Sequence, residues 1–338
     1  MSNLIFTPHE VGVAGYKAAK RAIEYGDVGI PIKISGSDIG EYIAPLLPWE
    51  AIALQAQTHN GKTFFFDWLE RETAKHLSAV GQEGDIVHIS HEESIEAMAF
   101  TEYGRLLDVL PARLARGEFK DLAKLEVAMQ TIDRSRIWRI ADSAGMDDEG
   151  EDKQSLLTLS NVERLLTGMQ EGQIADKRKV RLIVDDYLQA HPIDQENSKH
   201  EDKRRLQVRA DVYKIRKMAK KLISPILVGI QCKQKLEGAN PPYLIPGMYD
   251  GEETSSIAQR FDRIISLWMP KNDYPVGSAQ YSGSGAARER AFDVVEEMVF
   301  CKVNKQRGGL PAGKTFELRM DFAKREYVGK FGKPVGEK

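Results

Sequence analysis

The sequence has few cysteines and no long apolar run. Its two cysteines, Cys232 and Cys301, stand in strand-like surroundings without the spacing of metal ligands. A disulfide framework and a zinc site are therefore not expected, and we expect a reducing cytoplasm. No apolar stretch approaches the roughly 18 residues that a membrane span needs. The first residues, MSNLIFTPHE, also lack the basic stretch and apolar core of a signal peptide, so no membrane partner is expected.

The sequence also has little net charge. Its 48 Lys and Arg residues nearly balance its 50 Asp and Glu residues, which gives a formal net charge of -2. This balance is weak evidence against a nucleic-acid-binding protein, because a local basic groove is compatible with a neutral total.

Short apolar runs recur along the chain, and most of the early ones are separated by helical segments. They are rich in Ile, Val, Leu and Phe, as buried strands are: AIALQA, DIVHIS, RIWRIA, VRLIVDD, PILVGI, RIISLWM, VFCKVNK and TFELRMDF. This alternation predicts an α/β fold with a largely parallel central sheet. The last two runs flank the short KQRGGLPAGK segment, so the sheet is expected to finish with antiparallel strands.

Four other segments interrupt or flank this pattern. Residues 9–25 resemble a short helix with an apolar side. The acidic stretch 146–154 is interpreted as a solvated insertion, and 191–205 as a polar loop that leads into a helix. Residues 272–290 are rich in Gly, Ser and Ala and are the best candidate for disorder.

The helix predicted after the polar loop has one strongly basic side. Its apolar residues follow a three-four spacing, and its basic residues are Arg204, Arg205, Arg209, Lys214, Arg216, Lys217, Lys220 and Lys221. Two interpretations remain open: a solvated face on a packed helix, or a face turned toward a phosphate backbone.

The segment AQTHNGKT fits a phosphate-binding P-loop with Ala in place of the first Gly. AIALQA supplies the preceding strand, and FFFDWLERETAKHL supplies a helix whose N-terminus would face the anion. Lys62 would reach the β- and γ-phosphates, and the Thr63 hydroxyl would hold Mg²⁺. The expected nucleotide-binding residues of this segment are Ala56, Gln57, Thr58, His59, Asn60, Gly61, Lys62 and Thr63. For His59, a phosphate or neighbour contact and a simple turn position both remain open.

Carboxylates follow two of the predicted strands. Asp185 and Asp186 end VRLIVDD, and only one of them can point at the magnesium site because side chains alternate along a strand. Glu92 and Glu93 follow DIVHIS, and either could orient the attacking water.

Together these segments resemble the hexameric replicative DNA helicases of the DnaB type, a branch of the RecA-fold ATPases. SHEES resembles the family's Ser-Leu-Glu-Met-Pro stretch, and VDDYLQ its Ile-Asp-Tyr-Leu-Gln motif. SSIAQRFDRII resembles a segment after a DNA-binding loop, and VNKQRGGLPAGKTFELRMDF its Lys-Gln-Arg-Asn-Gly-Pro motif and final strand. The family's order is kept from about residue 45 to 325.

The resemblance implies a role for each matched residue. Glu92 would be the catalytic base, and Thr63 and Asp186 would hold Mg²⁺ with ATP. Gln231, at the end of PILVGIQ, would sense the γ-phosphate. Catalysis would also depend on Lys62 and on a pair that enters the neighbouring subunit's ATP site, Lys305 and Arg307.

The resemblance also implies an organisation and a function. Residues 1–44 would be a linker helix and lead-in segment, 45–325 a RecA-like ATPase domain, and 326–338 a basic tail. For residues 9–25, a simple surface helix remains an equal alternative to the linker helix. The protein would be a phage- or plasmid-like replicative helicase in a bacterial or phage-infected cell, without the family's collar domain. It would form a ring, expected to be a hexamer, that moves 5′ to 3′ along single-stranded DNA. A helicase loader or primase would be a further partner.

One departure keeps two alternatives open. Where the family has an arginine in its DNA-binding loop, this chain has Glu252, which should weaken a phosphate contact. A RecA-fold ATPase that binds nucleic acid or a protein partner without unwinding, such as a recombination mediator or regulatory ring, is therefore the main alternative. A metabolic P-loop kinase is a third, against which the Lys305–Arg307 segment counts.

Overall fold

The structure, a computed structural model, arranges its strands in one large sheet beside a small hairpin. It describes residues 7–25, 29–141, 157–174, 178–192, 201–233, 241–252, 256–283, 288–307, 312–322 and 324–329. The strands are β1 Ala51–Ala56, β2 Asp85–Ser90, β3 Ile137–Ala141, β4 Val180–Asp186, β5 Ile226–Gln231, β6 Arg263–Trp268, β7 Ala279–Ser282, β8 Glu289–Asp293, β9 Met298–Lys305, β10 Thr315–Asp321 and β11 Glu326–Gly329.

Helices connect most of the early strands. They are α1 Pro8–Tyr25, α2 Ile39–Tyr42, α3 Lys62–Ala79, α4 Ile95–Leu107, α5 Pro111–Ala115, α6 Leu122–Asp133, α7 Leu159–Glu171, α8 Glu201–Leu222 and α9 Ser256–Arg260. Helix α1 covers the predicted segment 9–25. Among the described residues, no helix combines the length and apolar character needed to cross a membrane.

The nine-stranded sheet has the order β11-β10-β9-β6-β1-β5-β4-β2-β3. Strands β3, β2, β4, β5, β1 and β6 are parallel, whereas β9, β10 and β11 add in antiparallel pairs. This arrangement confirms the predicted fold class. Because all parallel strands run in one direction, their carboxyl ends share one edge of the sheet, and the P-loop follows β1 at that edge.

Apolar layers cover both faces of the sheet. Strands β1, β2 and β6 are buried along their whole length, as central parallel strands are, and their polar residues, such as His88 and Arg263, are therefore buried as well. On one face α3 packs with the lead-in residues 30–46, and on the other lie α7 and α8. Both cysteines are buried and free.

The predicted disorder of residues 272–290 is wrong for most of the segment. Strands β7 and β8 pair there as an antiparallel hairpin. Phe292 anchors it by packing on Trp268 and Phe300, with ring centroids 6.0 and 5.1 Å away. Aromatic burial therefore outweighs the Gly- and Ser-rich composition.

Several sequence predictions concern residues that the structure leaves undescribed. The acidic stretch 146–154 lies outside the described residues, as do 193–200 of the polar loop and 330–338 of the basic tail. The sheet itself extends through β11 to Gly329, past the predicted domain boundary at 325.

Candidate active site

The P-loop turns sharply between β1 and α3 and is fixed by its neighbours. Gly61 has a φ of 82° and His59 a φ of 61°, both in the left-handed region that favours glycine. The buried Asn60 side chain accepts a hydrogen bond from the Met269 backbone N–H at 2.7 Å. Asn272 donates to the His59 carbonyl at 3.1 Å. The exposed His59 side chain and its left-handed backbone favour the turn interpretation of this residue.

Lys62 begins α3, at the helix end whose free N–H groups and dipole attract anions. Its Nζ lies 3.4 Å from the Ala56 carbonyl oxygen. Burial lowers the pKa of the ammonium group, while the nearby Asp186 carboxylate opposes that shift. The arrangement therefore places a partly desolvated cation where a phosphate would meet the helix.

Thr63 and Asp186 meet across the P-loop. The Thr63 hydroxyl donates to Asp186 Oδ2 at 2.9 Å. Burial raises the pKa of Asp186 to about 6, with the Glu92 charge acting in the same direction and Lys62 opposing it. The adjacent Asp185 points elsewhere and contacts His91 and His191. The predicted alternation of the two carboxylates is therefore present.

Glu92 and Glu93 both line the same pocket as Lys62 and Asp186. Burial raises the pKa of the Glu93 carboxyl, and the Asp67 carboxylate adds to that rise. The Tyr187 hydroxyl lies near the Glu92 carboxylate; burial raises the pKa of that hydroxyl to about 12, and the Glu92 charge adds to the rise. The structure brings both glutamates to the site, and the choice of Glu92 as base stays a prediction.

Gln231 ends β5 beside the P-loop. Its side-chain amide donates to the Thr58 hydroxyl at 2.9 Å. Its backbone forms two hydrogen bonds with the Gln189 side chain, each 3.1 Å long. Its carbonyl also accepts from the Glu252 N–H at 2.9 Å. One residue thus connects the P-loop with the segments that precede residues 193–200 and 253–255, both of which lie outside the described residues.

The pocket also contains residues that sequence reasoning missed. It has a volume of about 590 Å³, and its remaining walls come from the ends of β6 and β10: Met269, Lys271, Asn272, Met320 and Phe322. The Phe322 ring is 45% exposed, and the Lys271 ammonium lies 5.0 Å from its centroid. These residues are distant in sequence from the P-loop, and only the sheet order brings them to it. Gln189, which contacts the Gln231 backbone beside the pocket, could have been found from the sequence, because it is the last residue of the VDDYLQ segment.

Lys305 and Arg307 do not line this pocket; they lie at the opposite edge of the sheet. Lys305 pairs with Ile264 at the start of β6, and its Nζ donates to the Phe261 carbonyl at 2.7 Å. The Arg307 guanidinium lies 3.1 Å from Asp262 and is 54% exposed. Neither residue can therefore reach the phosphate site of its own chain.

The basic side of α8 is partly occupied by contacts within the chain. Lys221 pairs with Glu163 of α7 at 2.9 Å, and Arg216 with Asp262 at 3.2 Å. These pairs favour the packed-helix interpretation for the middle and end of α8. The side chains of residues 201–205 lie outside the described part of the chain.

No protein-family model matches the chain, and no curated protein matches it by sequence. Among solved structures, it is similar to one described as the ATPase domain of G40P, with a TM-score of 0.67 and 17% identity, covering 96% of this chain and 99% of that one. It is also similar to a DnaB-like replicative helicase described with its interactions with primase. That match has a TM-score of 0.68 and 17% identity, and covers 95% of this chain and 68% of that one. The chain therefore has the RecA-like fold of the ATPase domains of DnaB-type replicative helicases.

Proposed function

We propose that this chain is the ATP-driven motor of a ring-shaped DNA helicase or translocase. It would act on single-stranded DNA during replication, with 5′ to 3′ polarity by its resemblance to the DnaB-type family. The observation that carries the proposal is the meeting of Lys62, Thr63 and Asp186 in one pocket of a helicase-type ATPase fold.

The residues at this point fit Mg²⁺. The Thr63 hydroxyl and the Asp186 carboxylate offer oxygen atoms, which this hard cation prefers, and their 2.9 Å separation suits two groups facing one ion. A cation bound beside Asp186 would favour its ionised form and so offset the effect of burial on its pKa. When bound, Mg²⁺ supplies charge that stabilises the β- and γ-phosphates of ATP.

The rest of the pocket suits a nucleoside triphosphate. The α3 N-terminus and Lys62 would take the phosphates, while the exposed Phe322 ring and Lys271 offer a flat apolar surface and a cation farther along. Glu92 would orient the attacking water and accept its proton. The Tyr187 hydroxyl, which lies near Glu92, would be a donor to its carboxylate.

The position of Arg307 supports an active site shared between subunits. Because Arg307 and Lys305 lie on the edge away from their own pocket, they could serve only a neighbouring chain's ATP. An arginine supplied from outside stabilises charge on the transferring phosphoryl group. A head-to-tail contact of this kind closes into a ring if its rotation allows, and we propose a homo-hexamer.

Gln231 would relay the state of the nucleotide to the DNA. It contacts Thr58 in the P-loop and, through its backbone, Gln189 and Glu252. A γ-phosphate that competes for the Gln231 side chain would shift both adjoining segments together. These segments lead to residues 191–203 and 247–256, the proposed DNA-contacting loops.

The proposal is tested by measuring ATP hydrolysis with and without single-stranded DNA. We expect DNA to stimulate hydrolysis, and we expect Lys62→Ala and Arg307→Ala to abolish the stimulated rate. Lys75→Ala, on the exposed side of α3, is the matched control and should retain it. A loader or primase would then be sought with the active ring.

The same experiment separates the main alternative. The acidic Glu252, which replaces a cation expected to bind phosphate, favours an ATPase that binds a partner without unwinding. Hydrolysis that requires Lys62 and Arg307 but ignores DNA would support that alternative. Hydrolysis that does not require Arg307 would contradict the shared active site, which both the helicase proposal and this alternative include.

A further inference from the structure

A compact cluster of two histidines and an aspartate lies directly behind the nucleotide pocket. His91 Nε2 is 3.0 Å from Asp185 Oδ1, and His191 Nε2 is 2.9 Å from Asp185 Oδ2. The ligand atoms all lie within 4.8 Å of one another, and the two imidazole centroids are 4.6 Å apart. The three side chains are only 2–3% exposed. They come from three different segments, so the cluster does not show the sequence spacing of a known metal-binding motif.

We infer that His91, Asp185 and His191 form a binding site for a divalent transition metal, with Zn²⁺ as its best match. Two imidazole nitrogens and a carboxylate oxygen are a ligand set that proteins use for zinc. Tetrahedral zinc ligands at about 2.0–2.1 Å from the metal are about 3.3–3.4 Å apart. The two nitrogen–oxygen distances here are a few tenths of an ångström shorter than that spacing, and they end on different oxygens of Asp185, so the carboxylate faces the metal position with both of its oxygens. A water molecule would complete the coordination.

The surroundings of the cluster also suit a metal. The second ring nitrogen of His191, Nδ1, faces Asp211 Oδ2 of α8 at 3.9 Å. A carboxylate behind a metal-bound histidine is the usual outer partner, because it fixes the ring and makes the other nitrogen a better ligand. Both Asp185 and Asp211 are buried, so a bound dication would offset two charges that have been removed from water.

A second buried cluster of carboxylates and a histidine differs from the first, because arginine side chains already form ion pairs with it. Asp67, Glu70 and His88 are similarly close, but Arg139 lies 2.5 Å from Glu70 and Arg325 contacts Asp67. Those guanidinium groups already balance the carboxylates, and we assign that cluster to ion pairing. Among the described residues, Asp185 pairs with two imidazoles instead of an arginine or lysine.

The metal would join two segments that matter for the proposed function, although the site itself does not depend on that function. His91 immediately precedes Glu92, and its backbone N–H donates to the Asp186 carbonyl at 3.0 Å. His191 follows the short helical turn Leu188–Ala190 and precedes the undescribed residues 193–200. The zinc would therefore brace the water-orienting glutamate against the base of a proposed DNA-contacting loop. It would be distinct from Mg²⁺, because Asp185 and Asp186 point in opposite directions.

The test is a direct measurement of metal binding without ATP. Full-length protein without an affinity tag would be loaded with Zn²⁺, desalted in excess Mg²⁺ and analysed by mass spectrometry of its metal content. We expect about one zinc per chain. Added Co²⁺ should give the visible absorption of a low-coordinate site. Asp185→Asn and His191→Gln should each weaken binding at least tenfold. His9→Gln, on the exposed side of α1, should bind as the unaltered protein does.

The outcomes are separable from those of the helicase proposal. If the unaltered protein retains no zinc and gives no Co²⁺ absorption, the inference is overturned whether or not the variants fold. Zinc retained equally by Asp185→Asn and His191→Gln, with native circular dichroism, would overturn it as well. Loss of DNA stimulation with zinc binding intact would contradict the proposed function and leave the metal site standing.

Discussion

At the scale of single residues, replacing Thr63 is the most direct test of the proposed magnesium site. Thr63→Ala removes the group that meets Asp186 while leaving the helix intact, since Ala favours helix. We expect the Mg²⁺ concentration for half-maximal ATP hydrolysis to rise on the order of tenfold or more. The measurement is hydrolysis rate against Mg²⁺ at saturating ATP.

A matched threonine provides the control for that experiment. Thr131 lies exposed on α6 and donates to the Val127 carbonyl within its own helix. Thr131→Ala should leave the Mg²⁺ dependence unchanged. An unchanged dependence in Thr63→Ala would show that the hydroxyl is not a ligand.

The site residues divide by how local their determinants are. Lys62 and Thr63 could be predicted because the P-loop is one continuous segment between a strand and a helix. Strand alternation predicted that only one of Asp185 and Asp186 faces the site, and the resemblance of VDDYLQ to the family's motif pointed to Asp186. Phe322 could not be predicted, because its place beside the P-loop depends on the order of β6, β9 and β10 in the sheet. The contacts of His91 and His191 with Asp185 could not be predicted either, because the three residues come from separate segments that only the fold brings together.

At the scale of elements, a buried ion-pair network joins α3 to β2 and β3. Glu70 contacts His88 and Arg139, each at 2.5 Å, and is fully buried. Glu70→Gln would leave the two partner groups without their counter-charge. We expect a loss of about 3–5 kcal/mol in the free energy of unfolding. Urea unfolding measures it, and Glu72→Gln, at a more exposed position of the same helix, should lose less than about 1 kcal/mol.

The network also gives that stability a pH dependence. Burial alone would raise the pKa of Glu70, but Arg139 and His88 outweigh it and hold the pKa at about 2. Its stabilisation is therefore present above the ordinary value of 4.5 and is lost as the pH falls toward 2. Burial opposes the charged form of His88, yet Glu70 raises its pKa above 6.5, so that contribution is complete below 6.5 and is lost as the pH rises through the folded value. Glu70→Gln should flatten the acid side of the profile; an unchanged acid limb would contradict this account.

Strands were predicted correctly where every residue of the strand is buried. The prediction failed for the hairpin, where few residues are buried. The strands β1, β2 and β6 are buried throughout, so their apolar runs could be recognised without knowing the fold. The β7–β8 hairpin buries few side chains, chiefly Phe292, against an aromatic cluster supplied by β6 and β9. Its own composition carries little strand signal, and its partners lie outside its sequence window.

At the scale of the whole molecule, the proposed shared active site predicts complementation between inactive chains. Lys62→Ala disables a chain's own pocket, whereas Arg307→Ala disables only what it offers to its neighbour. Mixing the two variants should restore part of the DNA-stimulated ATPase, because some interfaces then combine an intact pocket with an intact arginine. The measurement is hydrolysis rate against mixing ratio.

The control for complementation is a chain that carries both substitutions. Mixed with either single variant, the double variant cannot supply what that variant lacks, so it should not restore activity. Recovery in those mixtures, or no recovery with the two single variants in an assembled ring, would contradict the shared site.

The placement of the pocket and of Arg307 on opposite edges of the sheet has a numerical consequence for the assembly. On the proposed arrangement, every chain in a closed circle has a completed pocket. An open arc always has one terminal chain whose pocket receives nothing, and a solitary chain has none complete. Opening the ring to admit a DNA strand would therefore inactivate one pocket, and closing it would restore that pocket. The rate of ATP turnover per chain would then report whether the ring is open or closed.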